Sequence, residues 1–222
     1  MGGNSSKFKV VPFSDDSFFV GETNNNNDEI NGKGKYFDEH GNCYIGDFID
    51  GKYSGYGTMQ YSFNDYDYDS DDSDYEYETH QENKPLYYKG YWKDNCKHGH
   101  GLLEFTDGSK YKGQFYLNDI HGKGTYTYPD SSYYIGSFFC SQLDGYGKLY
   151  NTNKKLHYKG YWNSNTFHGQ GTCYYDNGNI HYSGNWHSGY CHEIGTLYHY
   201  DGTKNYKAIF QFGEPIEILK DY

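Results

Sequence analysis

Aromatic and glycine residues alternate with polar residues along most of this chain, in short stretches with a period of two. In one such stretch Tyr88, Gly90 and Trp92 fall on one face of an extended segment, and the intervening residues fall on the other. The next segment repeats the pattern with Gly99, Gly101, Leu103 and Phe105. Period-two alternation bounded by turn residues is typical of half-buried β-hairpins.

The hairpin pattern is repeated along the sequence. The phrase Tyr-x-Gly-x-(Trp/Phe), followed by Gly-x-Gly, begins at Tyr44, Tyr88, Tyr111, Tyr134, Tyr158 and Tyr182, with steps of 44, 23, 23, 24 and 24 residues. Weaker copies begin at Phe19 and Tyr206, which gives seven repeats and a half. A sustained period of this length indicates a repeat array, in which each unit buries its face against its neighbours. Between repeats, pairs such as Asp107-Gly108 and Asn177-Gly178 predict tight turns.

Glycines inside strands usually weaken them, yet here they share a face with the aromatic residues. A position without a side chain allows a ring from a neighbouring strand to lie flat across the backbone. The alternative, a phosphate-binding loop, requires a helix after the glycines. No segment with helical periodicity follows any Gly-x-Gly pair, so the glycines indicate a sheet packed by aromatic rings.

Composition agrees with a thin sheet that is widely exposed to water. Among 222 residues the hydrophobic fraction is 35%, with 30 tyrosines and only 2 methionines. The net charge of −11 and the absence of arginine make nucleic acid and acidic membrane surfaces poor partners for the body of the protein. The 5 cysteines show no CxxC and no regular pairing, which is typical of reduced thiols.

The repeats resemble those of the MORN family (membrane occupation and recognition nexus). The residues that carry this resemblance are Tyr88-Lys89-Gly90-Tyr91-Trp92 with His98-Gly99-His100-Gly101, Tyr111-Lys112-Gly113-Gln114-Phe115 with His121-Gly122-Lys123-Gly124, and Tyr158-Lys159-Gly160-Tyr161-Trp162 with His168-Gly169-Gln170-Gly171. The resemblance implies an all-β fold: an elongated single-layer antiparallel sheet of stacked hairpins. It also implies a scaffold, a membrane tether, or an accessory module on a lipid kinase or methyltransferase. Glu193 replaces the first glycine of one pair, which puts the local geometry of that repeat in question.

The array and its interruptions predict five regions. They are a flexible N-terminal arm (1–18), two repeats of which the first is degenerate (19–61), an acidic insertion (62–86), five repeats (87–205), and a half repeat with a C-terminal cap (206–222). In that cap, residues 216–219 are expected to fold over the last strand.

The first residues, Met1-Gly2-Gly3-Asn4-Ser5-Ser6, fit the pattern for N-myristoylation at Gly2. One myristoyl chain binds a membrane only marginally, with K about 10⁴ M⁻¹, so a second chain in a homodimer or a membrane-resident partner would be needed. A chance Met-Gly start is the alternative.

The insertion is rich in aspartate and tyrosine, and its charge density predicts disorder. It is either a tolerated low-complexity loop or a docking and phosphorylation segment with Ser70 and Ser73 as candidate sites.

Four of the 11 histidines (His98, His121, His168 and His192) occupy one phase of the repeat, which indicates a structural role. Strands about 4.8 Å apart place successive members about 10 Å apart, too far to share a zinc ion. The sequence therefore predicts no metal, no cofactor and no catalytic residues.

The function that the sequence favours is a non-enzymatic scaffold on the cytosolic face of a plasma or internal membrane, with a membrane or cytoskeletal protein as partner and no nucleic acid. A homodimer through the C-terminal repeats is the expected oligomer. The main alternative is phosphoinositide binding, for which Lys89, Lys112 and Lys159 share one repeat phase. The partner is expected on the aromatic face, where the candidate residues are Tyr88, Trp92, Tyr111, Phe115, Tyr134, Phe138, Tyr158, Trp162, Tyr182 and Trp186.

Overall fold

The computed structural model describes residues 7–24, 29–62 and 83–219. In these three ranges it contains β-strands and no helix, so no helix there could cross a membrane. The strands form one open antiparallel sheet, which confirms the predicted all-β fold of stacked hairpins. The chain divides into two compact units: the first runs to Lys110 and includes Tyr116–Asn118, and the second comprises Tyr111–Phe115 and the chain from Asp119 onward.

The first unit contains strands that each pair with the next along the chain. Their bounds are β1 (Lys7–Pro12), β2 (Phe18–Thr23), β3 (Ile30–Phe37), β4 (Cys43–Ile49), β5 (Lys52–Gln60), β6 (Pro85–Lys93) and β7 (Cys96–Phe105). Strand β1 lies within the arm that the sequence predicted to be flexible, so that prediction is wrong for Lys7–Pro12. These six residues pair antiparallel with β2, which satisfies an edge that the degenerate first repeat would otherwise leave open.

The second unit continues the same arrangement, beginning with most of β8 (Lys110–Tyr116). From β9 onward each strand pairs with the next. The bounds are β9 (Asp119–Thr127), β10 (Tyr133–Phe139), β11 (Gln142–Tyr150), β12 (Leu156–Asn163), β13 (Thr166–Tyr174), β14 (Ile180–His187), β15 (Tyr190–Tyr198), β16 (Lys204–Gln211) and β17 (Glu214–Leu219). The C-terminal tail was expected to fold over β16, but it pairs along the edge of β16 as a further strand.

Two kinds of turn connect the strands. The turns predicted between repeats are confirmed at Gly108 and Gly178, where φ is +86° and +93°. Within the hairpins from β4–β5 to β16–β17, a two-residue turn has positive φ at both positions, as in Leu117 (47°) with Asn118 (76°). This is the type I′ geometry, which suits the right-handed twist of paired strands and favours Asn and Gly.

A β-bulge lies near the middle of most hairpins, and the first glycine of the Gly-x-Gly pair adopts the left-handed conformation that it requires. At Gly122 φ is +64°, and at Gly169 it is +58°. Glu193 occupies the same position with φ of 52°. The register shift after Gly184 shows that this repeat keeps the common geometry despite its missing glycine.

Candidate functional site

The six repeat tyrosines form the centre of the sheet. Each is fully buried, and each donates its hydroxyl hydrogen to a backbone carbonyl three residues later, as from Tyr134 Oη to Ser137 O (3.0 Å) and from Tyr158 Oη to Tyr161 O (2.9 Å). These hydrogen bonds satisfy the polar end of a buried ring. Phe19 takes the corresponding place in the first repeat and is also fully buried.

Two glycines make room for each tyrosine ring. Gly113, two residues after Tyr111 on the same strand, lies opposite Gly124 on the next: a Cβ built on Gly113 would lie 2.6 Å from the Gly124 Cα and would also collide with Tyr111 Oη. The ring therefore covers one glycine of its own strand and one of the neighbouring strand. The sequence predicted an aromatic ring over glycine, but it expected the ring to come from the neighbouring strand only.

Within the second unit, from Phe138 onward, the second aromatic of a repeat packs edge-on against the tyrosine of the repeat before it. The ring centroids of Tyr134 and Trp162 are 5.2 Å apart with an interplanar angle of 83°, and those of Tyr158 and Trp186 are 5.5 Å apart at 87°. Edge-to-face pairs at this distance are favourable beyond the area that they bury. The aromatic rings therefore join consecutive repeats within the second unit.

All ten aromatic residues expected to bind a partner are buried in this packing. The tyrosines Tyr88, Tyr111, Tyr134, Tyr158 and Tyr182 are 0% exposed, and Trp92, Phe115, Phe138, Trp162 and Trp186 are between 3% and 8% exposed. Of the ten, Trp162 alone lines the open groove described below, and binding of a partner to the set stays a prediction. Their rings fill the space above the glycines and contact one another, so a partner would meet mainly other side chains.

A groove of about 890 Å³ lies on the face of the second unit that carries the buried aromatic rings. It is lined mainly by side chains outside that set of ten. Phe167 stacks on Tyr158 with ring centroids 3.8 Å apart, and Leu143 occupies the same repeat position one hairpin earlier. The repeat pattern gave no sign of this set, because the residue two places before the first glycine varies among repeats. The lining residues are Tyr128, Pro129, Asp130, Ser132, Leu143, Leu149, Trp162, Asn165, Thr166, Phe167 and Gly189.

The groove has little ionic character. Its one carboxylate, Asp130, accepts a hydrogen bond from the Ser132 hydroxyl (2.6 Å), and this bond with that from the Ser132 backbone N–H holds the Asp130 pKa below its usual value. Burial raises the pKa of Tyr128. The lowered pKa of Asp130 and the raised pKa of Tyr128 both lie further from neutral pH than the ordinary values. A general acid or base would need a pKa near neutral pH. The groove therefore suits contact with apolar side chains of a partner.

The four in-phase histidines pack against rings near the turns of neighbouring hairpins. His121 lies with its ring centroid 5.4 Å from that of Phe139, and His168 lies 5.1 Å from His187. No group of three or more metal-binding side chains occurs in residues 7–24, 29–62 and 83–219. The five cysteines are free.

The remaining sequence predictions fall elsewhere. Lys89 and Lys112 are exposed and Lys159 is half-buried, each between buried residues of its strand and so on the face opposite the buried tyrosine of its own repeat. Gly2, Ser70 and Ser73 lie outside the described residues, as does most of the acidic insertion.

An open sheet of stacked tyrosine-glycine hairpins defines a class of repeat protein. The sequence profile of the MORN repeat matches residues 44–62, 88–110, 111–133, 134–154, 158–180 and 182–204, which is more than half of the chain. The chain therefore belongs to the MORN repeat family. The flanking copies at Phe19 and Tyr206 fall outside the matched ranges, although both lie in hairpins of the sheet.

No curated protein matches the chain. Among solved structures, it is similar to the TCP domain of SAS-4 (dCPAP) from Drosophila melanogaster, in complex with a proline-rich motif of Ana2 (dSTIL). The identity is 11%, the TM-score is 0.39, and the match covers 81% of this chain and 94% of that one. A likeness this weak carries no argument about function.

Proposed function

We propose that this protein is a non-enzymatic MORN scaffold, held at the cytosolic face of a membrane by a myristoyl group on Gly2, that binds a protein partner in the groove of its second unit. The observation that carries the proposal is the groove itself, where Leu143, Leu149 and Phe167 line a cleft of about 890 Å³. Concave sites lined by apolar side chains with few polar groups are the usual form of a binding pocket.

Trp162 gives the groove one directional group. This side chain is 6% exposed, and its Nε1–H has no hydrogen-bond acceptor. In the equivalent position of the first unit, Trp92 Nε1 donates to the Gly57 carbonyl oxygen at 3.3 Å. A buried donor without an acceptor is costly, so a partner whose carbonyl oxygen reaches Trp162 after a small movement of the ring would gain a hydrogen bond.

The groove is tested by changing one of its apolar residues. Leu149→Lys places a charge in the groove, and Ile194→Lys makes the same kind of change at a side chain that is 49% exposed and outside it. Proximity labelling in cells that express the protein should lose one or more neighbours with Leu149→Lys and none with Ile194→Lys. An unchanged set of neighbours for a correctly folded Leu149→Lys variant would reject the groove as the binding surface.

The membrane tether is tested separately. We expect Gly2→Ala to move the protein from the membrane fraction to the soluble fraction, because the acyl group can be attached only to glycine at this position. If both forms remain on the membrane, the tether lies in the sheet or in its partner. If both are soluble, the membrane part of the proposal fails and the scaffold part is unaffected.

A further inference from the structure

Four exposed or half-buried side chains form a square on the face of the second unit opposite the groove. In the register of β11 and β12, Tyr146 lies directly opposite Tyr161, and Lys148 lies directly opposite Lys159. Tyr146 is 45% exposed and Tyr161 is 52% exposed. Their ring centroids are 5.6 Å apart with an interplanar angle of 79°. We call these four residues the lysine-tyrosine square.

The lysine pair is unusual because residues directly opposite in a sheet have Cβ atoms only about 5 Å apart, and like charges there are destabilising. No carboxylate neutralises the pair: the ion pairs given for the described residues include neither Lys148 nor Lys159. The cross-strand neighbours of the pair are Ile135 on one side and Thr172 on the other, which are both uncharged. The sheet therefore holds two adjacent positive charges without a counter-charge.

Neighbouring groups restrain the Lys159 ammonium group and add to the positive field of the pair. Lys159 Nζ lies 5.6 Å from the ring centroid of Tyr174, so this ring partly fixes its position. Lys123, one strand before β10 on the same face, donates from Nζ to Ser137 Oγ at 2.5 Å and is also absent from the ion pairs. The nearest carboxylate along β11 is Asp144, four positions before Lys148 and toward the hairpin turn.

We propose that the lysine-tyrosine square binds an acidic peptide segment of a partner protein in which a carboxylate side chain lies beside an aromatic one. The two lysines, at the spacing of adjacent strands, would hold one carboxylate between them, and the tyrosine pair would receive the neighbouring ring edge-on. Nucleic acid does not fit this surface, because the chain has no arginine and a net charge of −11. The net charge also repels an anionic membrane, because a membrane faces a large part of the protein surface. A short peptide contacts the square alone, so its binding depends mainly on the positive charge there. This surface is independent of the groove, so the proposal does not rest on the proposed function.

The test measures binding of a fluorescein-labelled peptide of alternating glutamate and phenylalanine by fluorescence anisotropy. We expect the full-length protein to bind it and the affinity to fall as salt is raised, because exposed charges are screened. The double variant Lys148→Gln/Lys159→Gln should bind about tenfold more weakly, since two charge contacts are lost. The control Lys154→Gln/Lys155→Gln removes the same charge from the connection between the same two strands and should bind as the unchanged protein does.

Two further measurements separate this proposal from its rivals. Thermal melting should show the Lys148→Gln/Lys159→Gln variant folded and slightly more stable, because a like-charge contact has been removed. Vesicles of phosphatidylserine and phosphatidylcholine test the lipid alternative. A second peptide, in which glutamine replaces every glutamate, keeps the aromatic residues and lacks the charge. The proposal is overturned if the unchanged protein does not bind the glutamate peptide, if the control variant loses as much affinity, if the glutamine peptide binds equally well, or if the two lysines are needed for vesicles alone.

Discussion

At the scale of the residue, the fold depends on a pairing of the smallest side chain with one of the largest. Each buried tyrosine takes the space above two glycines that face each other across neighbouring strands, and its hydroxyl hydrogen goes to a backbone carbonyl. Glycine is normally unfavourable in a strand because it has no side chain to pack. Here the tyrosine ring covers the backbone of the two glycines, and burial of the ring offsets the usual cost of glycine in a strand.

We expect Gly124→Ala to lower the free energy of unfolding by about 1–3 kcal/mol, the usual cost of overpacking. The added Cβ would collide with Tyr111 Oη, so the fully buried Tyr111 ring would have to shift. Chemical denaturation followed by tryptophan fluorescence measures the change.

Gly108→Ala is the matched control for this substitution. No atom lies within 4 Å of the added Cβ, but φ is +86°, so only backbone strain of about 1–2 kcal/mol is expected. The collision at Gly124 can also be relieved: adding Tyr111→Ala should make Gly124→Ala much less costly in that background. Equal costs with and without Tyr111 would show that the ring is not what excludes the methyl group.

At the scale of the element, the hairpins keep one geometry while their turn residues vary. The type I′ turns place non-glycine residues in the left-handed region, and some of these, such as Leu117 and Phe212, are poorly suited to it. The cross-strand register and the bulges fix where each turn lies in the chain. The residues at the turn positions must therefore adopt the left-handed conformation, whatever their type.

Leu117→Asn should raise the free energy of unfolding by about 0.5–1 kcal/mol. Leu117 has φ of 47° and is 56% exposed, so the change relieves strain and removes little buried apolar surface. Thermal melting of the purified variant checks the sign. Ser132→Asn, in a turn at a position without positive φ, serves as the control and should not be stabilised. A loss of stability with Leu117→Asn would mean that its side chain packs more than its exposure indicates.

The hairpins were predictable from the sequence because period two, glycine spacing and repeat length all indicate the same element. Other features were not. Strand β1 was missed because Lys7–Pro12 contains no copy of the repeat and is ordered only by pairing with β2. The groove was missed because its residues, such as Leu143 and Phe167, occupy a position at which other repeats have Tyr53 or Lys97. The cross-strand pairing of Lys148 with Lys159 depends on register, which single-strand alternation does not specify.

At the scale of the whole molecule, the buried tyrosine hydroxyls link stability to alkaline pH. Burial raises the pKa of all six repeat tyrosines above the ordinary value of 10.0. Burial also raises the pKa of the Cys173 thiol to about 11 and that of Cys191 to about 12, from an ordinary value of 9.0. In the unfolded chain these tyrosine and cysteine side chains would lose their protons at their ordinary pKa values. In the folded chain they remain neutral to a higher pH.

The stability that these groups contribute is therefore fully present below pH 9.0 and declines as the pH rises through their raised folded values. Between the two pKa values of one group, the free energy of unfolding falls by about 1.4 kcal/mol per pH unit. Since six tyrosines act together above pH 10.0, we expect the sheet to unfold steeply in that range. Urea unfolding at a series of pH values, followed by circular dichroism, measures the slope.

Tyr134→Phe removes one of these ionisations while keeping the buried ring. At neutral pH the variant should be less stable by about 0.5–1.5 kcal/mol, because the hydrogen bond from Tyr134 Oη to Ser137 O at 3.0 Å is lost. Above pH 10.0 its slope against pH should be shallower than that of the unchanged protein by up to about 1.4 kcal/mol per pH unit, so the two stabilities converge. Tyr190→Phe, at a side chain that is 55% exposed, should leave the slope nearly unchanged. Parallel curves for Tyr134→Phe and the unchanged protein would mean that the buried tyrosines do not control unfolding in alkali.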